Sequence, residues 1–474
     1  MSYTEGSNMM KKAIKSMSVL LAVIIMFSMI GMNVSAANDE ATKSPRINEI
    51  VASFNNPNGR LMSVASKGNW RNFPENSIEG IKSCIDIGVD IVAVDIQRTK
   101  DGKFVLMSDN DLSRMCVDKD DRVATSKVSE ETLDEIKEYY FLRDSRGGLN
   151  AKPTKYKVPS LEEAINLCKG NIMIMINNGW KYGDEIQSII KTLDAEEIVI
   201  LRGAQTAESI SSHIQKNGLP ISHICGYYEG VMSYPAKKYI KEAIPAGAKI
   251  IELSSKNSYS ALYNDSVLKK FIDNGRAFIS TTSPELCGGR EDLRSEWSDL
   301  AGRGYSVIET NYPKELVNYI KEIESYRSSL SSLITQAQGI NNSNYSKESS
   351  KDLKNALKDA EQISAVGSTS LDNIDVARYN LQQSIDNLSP RLDDEKDGLG
   401  AGAIFLIVVA VIVILGLVVL FIMKKKNKPN RPNDGSNNPN EAPRPKRKRK
   451  IRKRKPNPQN RERQNPESQQ QNNE

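Results

Sequence analysis

Between residues 60 and 310, short apolar runs alternate with amphipathic segments. The runs predict buried strands, and the segments, whose apolar residues recur every three or four positions, predict helices. Eight predicted strands with intervening helices indicate an α/β fold, the (β/α)8 TIM-type barrel. A doubly wound open sheet contains the same alternation and is the alternative. In a barrel, the residues that follow the strands meet at one face and form the functional site.

The predicted strands are 61–65, 90–97, 171–176, 198–201, 221–227, 249–253, 277–281 and 306–310. A further short run, 104–107, follows the second strand. The turn between them, Lys100-Asp101-Gly102-Lys103, is typical of a hairpin because Gly adopts a positive φ without strain. The chain is therefore expected to form an antiparallel pair before the alternation resumes.

Residues 60–114 place several polar groups at the ends of predicted strands. The first strand ends in Ser66-Lys67-Gly68, and Pro74-Glu75-Asn76-Ser77 then opens a helix, with Asn76 as its predicted N-cap. The second strand carries Asp95. The run after the hairpin ends in Ser108-Asp109. This order of strand, helix, strand and hairpin is expected at the start of an α/β barrel.

In order and spacing, these motifs resemble the glycerophosphodiester phosphodiesterase family, and the resemblance extends more weakly to Pro313. In that family the first strand ends in Ala-His-Arg-Gly, followed by Pro-Glu-Asn-Thr. Its second strand carries Glu-x-Asp, then Thr-x-Asp-Gly, and its third strand ends in His-Asp. The resemblance implies the barrel. It also implies a site in which two histidines transfer protons while a metal, held by Glu, Asp and a further Glu, neutralises phosphate charge.

The two catalytic histidine positions of the family are substituted in this chain. They fall on Ser66 and Ser108, and the arginine after the first histidine falls on Lys67. A serine hydroxyl without an adjacent base does not titrate near neutral pH, so it cannot transfer protons as a histidine does. Asp109 is next to Ser108, but adjacent strand residues point to opposite faces. The resemblance therefore covers the framework and not the catalytic pair.

The metal-binding positions are also changed. The first Glu of the family falls on Ala93, and its Asp is kept as Asp95. The further Glu, from a stretch like Ile-Glu-Ile-Lys after the third barrel strand, aligns with Asn177, and the Lys aligns with Gly179. A single carboxylate does not hold Mg²⁺ or Ca²⁺, which need several oxygen ligands. No metal or other cofactor is expected, and a divalent cation enters only if the protein is an active hydrolase.

The remaining candidates are polar residues at strand ends that could line a pocket: Lys67, Glu75, Asp109, Glu252 and Glu309. Glu252 and Glu309 are included because they lie near the ends of the sixth and eighth predicted strands. A structural role is the alternative for each, and Asp95 itself is expected to bond to a neighbouring lysine or a backbone amide. The two histidines, His213 and His223, match no family position.

The N-terminus predicts export. Three lysines precede an apolar run, 17–32, and a small-residue site at Ala36, which together indicate a signal peptide over residues 1–36. An uncleaved membrane anchor is the alternative. Residues 37–58 are predicted to be a linker with a short helix near 46–53, and the barrel is predicted to occupy residues 59–322.

Residues 325–390 lack strand patterns, and their apolar residues follow helical spacing in three segments. This composition predicts a small three-helix bundle. The segment resembles the FIVAR module of bacterial surface proteins, and a coiled-coil spacer is the alternative. An acidic linker, 391–399, follows it.

Residues 400–423 are an uncharged apolar run long enough to cross a bilayer. Lys424, Lys425 and Lys426 follow, and basic flanks stay in the cytoplasm. We therefore expect a single-pass cell-membrane protein with the barrel and helical module outside the cytoplasm. The tail, 424–474, is predicted to be disordered, and its 17 Lys or Arg against 5 Asp or Glu indicate contact with anionic lipid. Nucleic acid is not an expected partner, because the tail contains no aromatic residue for base stacking.

Three hypotheses for function follow from these features. The first is a pseudoenzyme whose barrel binds or scaffolds at the cell surface, with an unknown extracellular ligand. The second is an active phosphoric diester hydrolase of lipid or glycerophosphodiester metabolism with altered chemistry. The third is a structural, membrane-tethered spacer. Metal-dependent hydrolysis separates the second hypothesis from the other two.

Overall fold

The computed structural model describes residues 45–217, 222–229, 235–263 and 275–391. Twelve strands lie in these ranges: β1 (Met62–Ser66), β2 (Ile91–Val94), β3 (Ile96–Arg98), β4 (Phe104–Leu106), β5 (Cys116–Val117), β6 (Phe141–Leu142), β7 (Met173–Asn177), β8 (Val199–Gly203), β9 (Ser222–Tyr228), β10 (Ile250–Ser254), β11 (Arg276–Ser280) and β12 (Tyr305–Thr310). Eight of them close into a parallel barrel in the order β1, β2, β7, β8, β9, β10, β11, β12.

The barrel is closed by the pairing of β12 with β1. Val307 lies opposite Met62, and Thr310 lies opposite Ala65, in parallel register. This pairing excludes the doubly wound alternative, because an open sheet would leave these strands at its edges. All eight predicted barrel strands are confirmed. The predicted strand 90–97 is nevertheless divided at Asp95, where the chain leaves the barrel for the hairpin.

The barrel strands are buried on both faces. Every residue of β1, β2, β10, β11 and β12 is buried. Parallel strands covered by helices outside and packed side chains inside have continuous apolar runs rather than alternating ones. This burial explains why the strands could be recognised in the sequence.

Eleven α-helices lie in the described ranges: α1 (Pro45–Asn55), α2 (Ile78–Ile87), α3 (Leu133–Tyr139), α4 (Leu161–Cys168), α5 (Gly183–Thr192), α6 (Ala207–Asn217), α7 (Ala236–Ala243), α8 (Arg294–Gly302), α9 (Pro313–Gln338), α10 (Lys347–Ala365) and α11 (Leu371–Asp386). Ser77, Thr132 and Ser160 begin α2, α3 and α4 by accepting a hydrogen bond from the backbone N–H three residues later. Such caps satisfy donors that the first helical turn leaves free.

An insertion between β2 and β7 contains the predicted hairpin. β3 and β4 pair antiparallel, with Arg98 opposite Phe104, and Gly102 in their turn has a φ of +78°. β5 and β6 form a second antiparallel pair. The insertion has its own apolar cluster, which includes Leu112 and Ile136. It lies between two barrel strands in sequence and contributes Ser108 and Arg114 to the site described below.

Helix α1 packs against the barrel. Its buried residues are Ile47, Ile50 and Phe54. Arg276, which is 1% exposed, donates to the carbonyl oxygens of Ser53 at 2.6 Å, Arg60 at 2.5 Å and Ser306 at 2.8 Å. The predicted short helix is confirmed. The prediction that 37–58 is a linker is wrong from Pro45 onward, because this helix buries apolar residues in the barrel core.

Helix α9 joins the barrel to the helices that follow. It is 26 residues long, so the predicted division between residues 322 and 325 falls inside one continuous helix. It packs against β1, α2, α10 and α11. Near its start Val317 lies beside Gly88 at the end of α2, and at its end Gln338 donates to Glu361 of α10. Residues of all three helices share one cluster with barrel residues, for example Leu330, Leu353 and Leu381. The barrel and the following helices therefore form a continuous apolar core.

Several predicted segments lie outside the described residues. These are the signal peptide 1–36, the acidic linker 391–399 apart from Arg391, the membrane span 400–423 and the basic tail 424–474. Within the described ranges, no helix has both the length and the apolar composition needed to cross a membrane.

Candidate functional site

Four polar side chains meet where β1, β2, β4 and β7 end: Lys67, Asp95, Ser108 and Asn177. Lys67 directly follows β1 with a φ of +56°, a left-handed conformation that residues other than glycine rarely adopt. Its carbonyl oxygen accepts from the Asn76 backbone N–H at 2.9 Å. The turn after β1 is thereby fixed next to the start of α2.

Asp95 is held by three side chains. Its Oδ2 lies 3.0 Å from the Lys67 Nζ and accepts from Ser108 Oγ at 2.6 Å, while its Oδ1 accepts from Asn177 Nδ2 at 2.8 Å. Burial disfavours the charge on this carboxylate, but the Lys67 ammonium and the hydrogen bonds from Ser108 and Asn177 outweigh it. The pKa of Asp95 is therefore lowered from its ordinary value.

Ser108 connects Asp95 to the loop before α2. Its Oγ lies 2.9 Å from Glu75 Oε1 and accepts from Asn76 Nδ2 at 3.1 Å and from Lys67 Nζ at 2.8 Å. The prediction that Asn76 caps α2 is wrong, because Ser77 is the N-cap. Asn76 instead has a φ of +56°, and its Oδ1 accepts from the Asp95 backbone N–H at 3.0 Å.

Glu75 is a buried carboxylate surrounded by cations. It is 1% exposed, and its Oε1 accepts from Arg114 Nη2 at 2.5 Å. Lys67 Nζ is 3.8 Å from the same oxygen, and Arg146 Nε is 3.5 Å from the other. Arg114 also donates to Asp109 at 2.5 Å. Asp109 therefore pairs with an arginine of the insertion, and no hydrogen bond joins it to Ser108 among the described contacts.

A second ionic cluster lies inside the barrel around Arg202, the penultimate residue of β8. Its guanidinium contacts Glu252 at 2.5 and 2.8 Å and Glu309 at 2.9 Å. Tyr228 OH also donates to Glu252, at 3.0 Å. Burial works against the guanidinium charge, but the two carboxylates hold the pKa of Arg202 well above its ordinary value. A further bond from Arg202 to Asn177 Oδ1, at 3.1 Å, links this cluster to Asp95.

The side chains at this centre do not provide the oxygen ligands needed by the divalent cation that the resemblance implies. Asp95 is the one carboxylate kept, and the Lys67 ammonium occupies the space beside its Oδ2. Asn177 presents its amide nitrogen to Asp95 and commits its oxygen to Arg202. Among the described residues, no three His, Cys, Asp or Glu side chains are grouped as metal ligands. The positive charge nearest to Asp95 among the described residues is the Lys67 ammonium.

A cleft of about 630 Å³ opens beside this centre. It is lined by Lys67, Asp95, Ile96, Gln97, Ser108, Asn110, Asn177, Asn178, Trp180, Lys181, Tyr182, Gly203, Ala204 and Gln205. Of the five predicted pocket residues, Lys67 alone lines it. Three of the others are buried, at 1–2% exposure, and form ion pairs with arginines: Glu75, Glu252 and Glu309. Asp109 pairs with Arg114.

The structure brings together the positions that the resemblance selected. Ser66 lies opposite Ala93 in the pairing of β1 with β2, and both are buried. Arg202 and Tyr228 were missed, although Arg202 is a charged residue that follows the apolar run of β8 and could have been noted. His213 does not line the cleft, and its ring packs against that of Trp180 with centroids 4.6 Å apart. The site contains no arrangement for proton transfer by histidine among the described side chains.

Comparison with known proteins finds similarity to the same family over part of the chain. Residues 67–217 match the family model described as "Glycerophosphoryl diester phosphodiesterase family". The chain carries a glycerophosphodiester phosphodiesterase-like barrel domain. It is similar to a glycerophosphodiester phosphodiesterase of Caldanaerobacter subterraneus subsp. tengcongensis, with 28% identity over 152 residues, 30% of this chain and 57% of that protein. The match thus spans little more than half of that relative's length.

Two further similar proteins are matched over most of their own length. The uncharacterised protein YqiK of Bacillus subtilis is 26% identical over 269 residues, which are 54% of this chain and 97% of that protein. A glycerophosphoryl diester phosphodiesterase structure from Parabacteroides distasonis covers 58% of this chain and 92% of its own, with 19% identity and a TM-score of 0.47.

The contacts of Asp95 predict a pH-dependent contribution to stability in this phosphodiesterase-like domain. We expect Asp95→Asn to lower the free energy of unfolding by about 1–3 kcal/mol at neutral pH, because Lys67 loses its nearest counter-charge. A carboxylate whose pKa is lowered on folding stabilises above its unfolded value of about 3.9, and this contribution is lost as the pH falls through the folded-state pKa. Urea unfolding at several pH values should show the difference from wild type shrinking below about pH 4.

Asp120→Asn is the matched control, because Asp120 pairs with Arg122 on the surface. Its effect on the free energy of unfolding should be close to zero across the same pH range. A constant deficit for Asp95→Asn down to the most acidic condition would contradict the assignment of a stabilising charge to Asp95.

Proposed function

We propose that this barrel is a non-hydrolysing relative of the glycerophosphodiester phosphodiesterases that binds a ligand outside the cytoplasm. One observation supports the proposal: both carboxylate oxygens of Asp95 are already bound, by an ion pair with Lys67 and by hydrogen bonds from Ser108 and Asn177. Hydrolysis in the family manner needs a metal at this carboxylate and a group that moves protons. Here an ammonium stands beside the carboxylate, and the two positions for proton transfer hold serine.

The test is an assay of the intact chain against glycerophosphocholine with magnesium, calcium or manganese. We expect no turnover above the same sample treated with chelator, because the described residues of the centre offer neither a group of carboxylates to hold the ion nor a histidine to transfer protons. The control is Asp95→Ala, which should be indistinguishable from wild type in this assay. Chelator-sensitive turnover that disappears in Asp95→Ala would make the protein an active hydrolase.

The cellular setting is part of the same proposal and is supported by sequence alone. The signal-like N-terminus, the uncharged run 400–423 and the lysines that follow it favour a single-pass membrane protein with the barrel outside. The helices α9 to α11, with a FIVAR-like pattern, would separate the barrel from the membrane. The basic tail would contact anionic lipid on the cytoplasmic side. Protease added to intact, wall-stripped cells should then digest the barrel and spare the tail.

A further inference from the structure

The cleft beside Asp95 is lined by the side chains of the ionic centre and, beyond them, by uncharged amides and aromatic residues. Five of its side chains are primary amides: Gln97, Asn110, Asn177, Asn178 and Gln205. Two aromatic residues, Trp180 and Tyr182, also line it. At about 630 Å³ the cleft lies within the range of about 300–1,000 Å³ found for small-molecule sites, so it can take a ligand larger than a phosphate ion.

Several of these amides keep hydrogen-bonding groups available. The side chains of Asn110 and Asn178 make no hydrogen bond to any other residue in the described ranges. Gln205 uses its Oε1 to accept from Ser209 at 2.8 Å, and Gln97 uses its Nε2 to donate to the Ser108 carbonyl at 3.1 Å. The cleft therefore offers uncharged donors and acceptors together. A hydroxyl group, which both donates and accepts, is the matching ligand chemistry.

Among its described lining residues the cleft offers a phosphate two lysines and no arginine. Lys67 is already bound by Asp95, Ser108 and Glu75, and no arginine lines the described cleft. Lys181, the other cation, lies over the ring of Tyr182 at 4.9 Å. Phosphate recognition favours charged donors, above all the paired donors of arginine. This lining instead suits a neutral ligand.

The side chains of Trp180 and Tyr182 are both closely packed. Trp180 follows β7 in a short helical turn, and a Cβ added at Gly203 would lie 2.9 Å from Trp180 Cδ1. The ring of Tyr182 packs on that of Phe104 with centroids 5.1 Å apart. Aromatic surfaces beside uncharged polar groups can pack against the apolar C–H face of a sugar ring while the amides bond its hydroxyls.

We propose that this amide-and-aromatic cleft binds a neutral carbohydrate, a hexose or N-acetylhexosamine unit of a glycan. The inference rests on the proposed non-hydrolysing function, because it gives the cleft a ligand that the ionic centre need not cleave. Recognition is by amide hydrogen bonds and aromatic packing, so the affinity should not depend on ionic strength.

The test is calorimetric titration of the intact protein with methyl hexosides and methyl N-acetylhexosaminides, and in parallel with inorganic phosphate and glycerol 3-phosphate. We expect saturable binding of at least one neutral glycoside, with the same affinity at about 0.05 and about 0.5 M salt. Tighter binding of phosphate than of every glycoside, or a loss of glycoside affinity at high salt, would overturn the proposal. So would the absence of saturable binding to all of the glycosides.

Two variants locate the binding. Trp180→Ala should weaken binding at least tenfold. Asn110→Ala should weaken it about fivefold to tenfold. The Asn110 side chain is exposed and makes no hydrogen bond to the other described residues, so its loss should not affect the fold. Asn150→Ala is the matched control, because this exposed amide of the same insertion does not line the cleft. Equal losses in Asn110→Ala and Asn150→Ala would contradict the site. Metal-dependent phosphodiester hydrolysis would overturn the proposed function alone, whereas a non-hydrolysing protein that binds no glycoside would overturn this inference alone.

Discussion

Replacing Arg202 by methionine should lower the free energy of unfolding by about 3–5 kcal/mol at neutral pH. The guanidinium is the shared partner of Glu252 and Glu309, which are 1% and 2% exposed. Without it, two carboxylates remain inside the barrel with no compensating charge, and water cannot solvate them. Urea unfolding monitored by circular dichroism measures the change.

Two further variants show whether burial is the cause. Arg122 also bonds two carboxylates, Asp118 and Asp120, each at 2.8 Å, but it lies on the surface. Arg122→Met should therefore change stability very little. Adding Glu252→Gln and Glu309→Gln to Arg202→Met should recover much of the loss, because the whole buried charge cluster is then removed. Equal losses in the two single arginine variants would show that the buried cluster has no special role.

Restoring the family's residues should create metal-dependent hydrolysis of glycerophosphocholine. The combination is Ser66→His, Ala93→Glu, Ser108→His and Asn177→Glu. Residue 93 lies in β2, two positions before Asp95 and opposite Ser66 of β1, so the changes at 66 and 93 fall beside each other near the centre. General acid–base groups contribute about 10²–10⁴ in rate each, so we expect a rate at least about 10²-fold above the background measured with the wild-type protein.

Lys67 is expected to limit this gain. Its ammonium nitrogen lies 3.0 Å from Asp95 Oδ2. A divalent ion would bind a carboxylate oxygen at about 2.0–2.6 Å, so the ion and the ammonium would compete for the same carboxylate. Adding Lys67→Arg, the family's residue, should therefore raise activity further. Adding Asp95→Ala to the fourfold variant should abolish activity and serves as the control. A folded fourfold variant with no chelator-sensitive turnover would show that the barrel has lost more than these side chains.

The sequence predicted the barrel well because each parallel strand is a buried apolar run of ordinary length. It predicted the site less well, since spacing along the chain does not give distance in space. Lys67 and Asp95 are recognisable as motif residues, but their ion pair depends on the left-handed turn at Lys67. The bonds of Arg202 join residues 50 and 107 positions apart, which no local pattern indicates.

The choice of N-cap for α2 shows a second limit. Asn76 and Ser77 are both good capping residues, and the sequence does not distinguish them. The positive φ of Asn76 makes Ser77 the cap and leaves the Asn76 amide to bond Ser108 and Asp95. A backbone conformation, rather than a residue preference, thus decides which side chain enters the centre.

Helix α9 has a mechanical consequence. Its 26 residues at a rise of 1.5 Å form a rod about 39 Å long, anchored in the barrel at one end and in the helical module at the other. A rod without an intervening loop transmits torque as well as tension, because twisting one end must rotate the other. If the module is pulled toward a membrane, the barrel cannot swivel freely, and the direction in which its cleft faces is set by the axis of this helix.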